Sequence, residues 1–229
     1  MPYLPAQPSE TLTPSAPLAY LKMRLRQTIP IELMSDETLL AYLSEAYQDA
    51  CERARCLPAL TSIPVTDAQE YDLPADFAEI LLVYRDGVEL ERIPNRLAMR
   101  ADAWGYYEYG GKIGLSPAPQ TGSSTSAIWL VYARRPAAFV TYDDALEAAF
   151  TPEFFDALLH YARWKRYAVD GGAGRISQAS WERDRWRIMV ARLRQSARAV
   201  DAASRSRFVH VLETLHPSRR GLANDVDAR

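Results

Sequence analysis

The sequence predicts an α+β fold, an antiparallel helical bundle with a β-rich insertion of hairpins between the first helix and the two long C-terminal helices. Three observations carry that prediction. Apolar residues recur with helical spacing in 36–55 and again in 152–204; between them, at about 62–136, the period falls toward two; and Gly, Pro, Asp and Asn punctuate that middle stretch at short intervals. With 229 residues and 48% apolar content, the chain can bury one good core or one core plus a satellite. The expected organisation is an extended Pro-rich N-terminal arm over 1–34, a single domain over 35–207, and a C-terminal stub and tail over 208–229.

The arm is expected because six prolines fall at positions 2, 5, 8, 14, 17 and 30 with polar residues between them. A short helix over 18–26 fits inside it, and the segment either stays disordered or orders against a neighbouring subunit. Ser35 then has the chemistry of an N-cap, with Asp36 and Glu37 in a first turn where the helix dipole favours negative charge. Leu39, Leu40, Leu43, Ala46, Tyr47, Ala50, Cys51 and Ala54 repeat behind it on one face, and Pro58 lies just beyond the end.

In the insertion, Pro74 ends a short strand at Tyr71 and Leu73, and "PADF" forms a tight turn. A hairpin over 79–93 turns at Asp86-Gly87, a second turns at Gly110-Gly111, and the last strand spans 126–136. Between the hairpins, Pro94 opens a short helix over 94–104. Helical spacing returns with Thr151 as cap and Pro152 at the first position, and the glycines of "DGGAG" end that helix. A long helix over about 175–204 follows, antiparallel to its predecessor because so short a connection leaves little alternative. Phe208, Val211, Leu212 and Leu215 make a separate amphipathic stub before a polar tail.

A net charge of −2 and a pI near 6.0 exclude a chain basic throughout, so any contact with nucleic acid must come from a local patch. No apolar run reaches membrane-spanning length, and "MPYLPAQPSE" lacks the order of a signal peptide, so a cytoplasmic site of synthesis and assembly is expected. Cys51 and Cys56, five apart on a helix, fall on different parts of its surface, so neither disulfide nor metal site is expected. His160, His210 and His216 show no ligand spacing.

Catalytic signatures are missing. No nucleophile elbow, zinc-protease motif, Walker loop or dinucleotide fingerprint occurs. "DGGAGR" follows a helix, where a phosphate loop follows a strand. The carboxylate neighbours Asp143 and Asp144, or Asp72 and Asp76, suit solvated surface and turn capping. Tyr106, Tyr107 and Tyr109 suit alternation across a strand with one side buried. No catalytic residue, cofactor or metal is therefore assigned, and the chain is expected not to be an enzyme.

The long helix carries the strongest functional signal. From Arg175 to Arg207 nine arginines face Glu182, Asp184 and Asp201, a net of +6 that leaves −8 for the rest of the chain. On a helical wheel Arg183, Arg187, Arg194, Arg198 and Arg205 fall within about 60° of one another, beside an apolar stripe through Trp186, Val190, Leu193 and Ala197. Arginine suits bidentate partners, either carboxylates of another subunit or phosphates. The same row on a solvated face with partners inside the subunit is the plain structural alternative.

The order of elements and the stretches "DETLLAYLSEAYQDA", "YDLPADFAEILLVYRDGVEL", "GKIGLSPAP", "IWLVYARRP" and "EFFDALLHYARWKRYAVD" resemble the adaptor (head-to-tail connector) proteins of tailed bacteriophages, over roughly residues 35–200. The Pro-rich arm before Ile31 is outside the resemblance. What it implies is a structural virion protein: a homo-oligomeric ring of about twelve copies at the head-tail junction, below the portal protein. Such a ring extends the channel for genomic DNA without reading its sequence, and offers the tail nozzle or tube a docking surface. Arginines facing the channel would hold phosphates and slow the DNA, so carboxylates of a neighbouring subunit or the portal are the preferred partners of the row. The stub Phe208, Val211, Leu212 and Leu215 is the expected portal-docking element. Competing expectations are a nucleic-acid-binding helical module, a neighbouring head-completion or tail-tube component, and a hydrolase using tyrosines and carboxylates of the β region.

Overall fold

A computed structural model describes residues 17–66, 68–85, 88–94, 104–118, 127–148 and 150–215; the side chains of Ala173 and of every residue after Arg198 lie outside the description. The fold is mixed α+β, with four α-helices and two sheets among the described residues. The chain divides into two compact units. One comprises the chain up to Asp49 together with Ala137–Ala191, and the other Ala50–Pro136 with the chain from Arg192 on.

The first unit opens with α1, Pro17–Arg26, within the segment expected to be an extended arm. Leu18, Leu21 and Leu25 share one helical face and are fully buried, each contributing about 2 kcal/mol of apolar burial, enough to hold a ten-residue helix that would be marginal alone. Helix α2, Asp36–Ala54, starts as the sequence predicts: Ser35 Oγ accepts the backbone N–H of Thr38 at 3.2 Å. Arg26 braces the turn between α1 and α2, donating to the carbonyl of Met34 at 2.7 Å and to Asp36 Oδ1 at 2.5 Å. Lys22 shares the same carboxylate.

Thr151 and Pro152 open a 3-10 turn, Pro152–Phe154, but the Thr151 hydroxyl donates to Glu153 Oε1 and caps no backbone group. The turn runs into α3, Phe155–Asp170, against which α1 packs. Gly171, in the left-handed region, ends α3, and α4 runs from Ala173 to Leu215. The expected break near residue 204 does not occur: the stub is the continuation of one 43-residue helix, about 65 Å long. Arg175 over Tyr167, His160 against Glu182 and Tyr161 against Trp186 fix α3 and the first turns of α4 as antiparallel.

The second unit contains the β structure, which begins earlier than expected. Its strands are β1 (Pro58–Pro64), β2 (Glu70–Asp72), β3 (Phe77–Arg85), β4 (Val88–Glu89), β5 (Glu91–Arg92), β6 (Gly105–Tyr109), β7 (Lys112–Ser116) and β8 (Ala127–Arg134). Both expected hairpins are present, β3–β4 and β6–β7, the latter turning on Gly110 and Gly111 with φ of 60° and 77°. They are not free-standing insertions. The strands assemble into two four-stranded sheets, β1-β8-β3-β4 and β2-β7-β6-β5, and β5 pairs parallel with β6. Val83, Ile128, Leu130 and Tyr132 of the first sheet share one core with Tyr71, Tyr106, Ile113 and Leu115 of the second. β1 occupies an edge, which tolerates Pro58 and Pro64 at its ends. The helix expected over 94–104 and the Asp86-Gly87 turn lie outside the described residues, apart from Pro94 and Trp104.

Two smaller expectations are corrected here. Tyr106 and Tyr107 are both buried, on opposite sides of β6, so both faces are covered there, and the strand opens to solvent at Glu108 and Tyr109. Cys51 and Cys56 do not lie apart. α2 ends in a Schellman arrangement, with Cys56 N–H donating to the Cys51 carbonyl, Arg55 N–H to that of Glu52, and Arg55 at φ 56°. This brings the two buried thiols together, and the hydrogen bond from Cys51 lowers the Cys56 pKa below its ordinary 9.0.

Candidate functional site

The basic row of α4 was the functional signal in the sequence, and helix geometry keeps it intact. α4 is helical through Arg205, so the four- and seven-residue intervals between Arg183, Arg187, Arg194, Arg198 and Arg205 place them along one side. Trp186, Val190 and Leu193 are buried beside them, as the apolar stripe predicts. The row is not uniform. Arg183 and Arg194 are half-buried at the margin of the packed face, whereas Arg187 and Arg198 are exposed. The Nε atoms of Arg183 and Arg194 are shielded from solvent and meet no hydrogen-bond acceptor.

Among the described residues, intramolecular neutralisation of the row is slight. Among the described residues its only carboxylate neighbour is Asp184, 3.9 Å from Arg183 Nε and 3.9 Å from Arg187 Nη1, beyond hydrogen-bond reach. Asp184 is thus the intrasubunit partner of the row among the described residues. Glu182, the other acid of this stretch, is turned inward: its buried side chain meets His160 Nδ1 of α3 at 2.5 Å. The side chains of Arg205, Phe208, Val211, Leu212 and Leu215 lie outside the described residues, although the helix carrying them is described.

A second face of α4 was not singled out from the sequence. Trp181 and Ile188, seven residues apart and so one above the other, are 52% and 49% exposed, and Arg185 stacks over Trp181 at 5.1 Å. Its signal is an i, i+4, i+7 pattern of Trp, Arg and Ile opposite the buried stripe, visible on a wheel once the helix is continuous.

Residues 137–148 form a second exposed feature of the first unit, laced to α2. The Phe139 N–H donates to Ser44 Oγ at 3.0 Å, the Glu147 N–H to Tyr47 Oη at 3.0 Å, and Tyr142 Oη to the Asp36 carbonyl at 2.6 Å. The rings of Phe139 and Phe150 pack on Tyr47. Burial, with the Asp36 charge nearby, pushes the Tyr142 hydroxyl up to about 12. At the crest of this strap Asp144 accepts the N–H groups of Val140 and Thr141 at 2.6 and 3.0 Å, which hold its carboxyl below the ordinary range. That is the turn-capping role expected of it. Val140 protrudes, 81% exposed, and Asp143 is exposed beside it.

Nothing in the described residues assembles into a reactive constellation. Among the described residues, no three His, Cys, Asp or Glu side chains cluster as metal ligands would, and no helix is long and apolar enough to cross a membrane. Asp76 accepts the Tyr132 hydroxyl at 3.0 Å and Asp72 pairs with Lys112 at 3.3 Å, ordinary structural uses of carboxylates. A cavity of about 360 Å³ lies among Leu82, Glu89, Leu90, Arg92 and Tyr106 of the β unit, with no nucleophile and base placed together in it.

Comparison with known proteins agrees with the resemblance in the sequence. No curated protein matches the chain. The model of the SU10 adaptor protein family matches residues 17–208, a span that takes in α1 and reaches the last turns of α4. The chain therefore belongs to the SU10 adaptor protein family.

Proposed function

We propose that this protein is a structural subunit of the phage virion, about twelve copies of which close into a ring joining the portal to the tail and extending the DNA channel. The observation that carries the proposal is the arginine row of α4. From Ala173 to Arg198 the helix bears seven arginines and two acids, one of those acids is consumed by His160, and the other is shared at 3.9 Å. Charge left this open within a subunit is compensated when a second macromolecule arrives. The family relationship supplies the class of protein, an adaptor, and the row supplies a reason for it to assemble.

In this reading the chain does no bond-making. α1 to α3 and the start of α4 form the body that meets neighbouring copies, the row meets carboxylates of a neighbour or of the portal, and the end of α4 from Phe208 to Leu215 docks on the portal. The two-sheet unit is the surface for the tail nozzle or tube. DNA passes the ring without sequence readout, and the particle is built in the host cytoplasm. Imaging the purified protein alone and with its portal tests this: rings seated on the portal are expected. Truncation after Arg207 should leave the fold intact, by circular dichroism and melting, and abolish portal binding. A truncated protein that binds as the full chain does would remove the docking assignment.

A further inference from the structure

The face carrying Trp181, Arg185 and Ile188 is apolar and basic, and it is separate from the arginine row. An apolar, basic face is best covered by a surface that is apolar and acidic. The chain carries one. Residues 137–148 include Asp143, Asp144 and Glu147 and no lysine or arginine. Within them Val140 projects next to Asp143, and no partner for the Asp143 carboxylate occurs among the described residues.

The strap is also held ready. Its backbone is tied to Ser44 and Tyr47, its crest is tied by Asp144, and Tyr142 anchors it to the start of α2. A projecting valine on so constrained a loop loses little conformational freedom when covered. Trp181 is equally fixed, its ring edge against His160 at 5.8 Å and Arg185 over its face.

We infer that the Trp181–Ile188 face of α4 receives the 137–148 strap of a second copy of this chain, Val140 seating against Trp181 and Ile188 while Asp143 meets Arg185. The contact is heterologous: one copy gives its strap and the next gives its helix face. That is the interface type from which a closed ring is built. The inference rests on the ring proposed above and names the two surfaces that join neighbouring copies.

The test uses the full chain, with buried Cys51 and Cys56 left in place. Val140→Cys and Ile188→Cys variants are prepared separately and together, allowed to assemble on portal rings, and oxidised. The double variant should give a ladder of covalent multimers, and an equal mixture of the single variants should give dimers. Either single variant alone should give at least ten-fold less. Rings visible by electron microscopy without the ladder, or equal cross-linking in one single variant alone, overturn the inference and leave the adaptor reading standing. No rings in any variant or in the unmodified protein overturns both. Independently, Arg185→Glu and Asp143→Arg should each lower ring yield about ten-fold, and the two together should restore it. Full ring yield in both single variants overturns the pairing.

Discussion

At the scale of single residues, close approach and local charge set the largest sensitivities. A Cβ added to Gly114 would lie 2.0 Å from the Tyr107 ring, and that ring cannot retreat, because Tyr107 is buried with its hydroxyl donating to Glu70 at 2.9 Å. Gly114→Ala should therefore cost about 3 kcal/mol of stability by overpacking. Chemical denaturation reads this directly, and an unchanged midpoint would show that the ring has room to move. Asp36 is one acid-sensitive group of the helical unit. Hydrogen bonds from Lys22, then Arg26, hold its carboxyl below the ordinary 3.8. A carboxyl depressed in the folded state contributes stability above its unfolded pKa and loses that contribution as pH falls through the folded value. The carboxylate is more than a third exposed and screened, so the contribution is about 1 kcal/mol. Asp36→Asn should be less stable than the native protein by that amount at pH 7, with the gap closing below pH 3.8. A gap that stays constant down to pH 2 would assign the effect to packing.

At the scale of elements, α3 and α4 are joined by one polar contact set among aromatic ones, His160 with Glu182 beside the cluster of Tyr161, Trp164 and Trp186. Removing one member of a buried pair leaves the other desolvated and alone. His160→Leu should cost about 3 kcal/mol, and His160→Leu with Glu182→Leu should cost less than the single change. A double variant as damaged as the sum of both singles would show that the two side chains act independently, with no coupling between them. What the sequence made legible at this scale is what local chemistry dictates: the Ser35 cap, the Pro74 turn, the Gly110-Gly111 reversal and the glycine stop of α3. Long-range pairing was not legible. β8 lies between β1 and β3, and its partners are up to 75 residues away in the chain, as Pro58 opposite Ala133 shows. The short helix expected over 18–26 is α1, but its role in the core was not legible, because its three leucines are buried against segments distant in the chain. The end of α2 hid the thiol contact, because Arg55 takes the left-handed position where glycine would have signalled the reversal. In α4 the arginine row was readable from spacing alone, while the Trp181 face needed the helix to be seen as unbroken.

For the whole molecule, the proposed ring leaves open which macromolecule the arginine row would meet. Both candidates, carboxylates and phosphates, are anionic, but they differ in what breaks when the charge is reversed. Arg187 is exposed and Arg194 half-buried on that row, so Arg187→Glu with Arg194→Glu inverts its sign over two turns of helix without touching the buried Trp186, Val190 or Leu193. If the row pairs with carboxylates of a neighbour or of the portal, two charges change sign, a net change of four units on one side of the contact, and like-charge opposition prevents assembly. Rings should then vanish from images of the portal complex while the melting temperature of the isolated protein stays within a few degrees. If the row lines the channel, rings form normally and the altered step is DNA release, faster or incomplete and dependent on salt, because a phosphate contact carries released counterions with it. Carboxylate pairing is expected, since a channel that retained phosphates would hold the genome it has to pass. Normal rings with a changed ejection rate would reverse that assignment, and would leave the strap of one copy on the helix of the next as the contact that closes the ring.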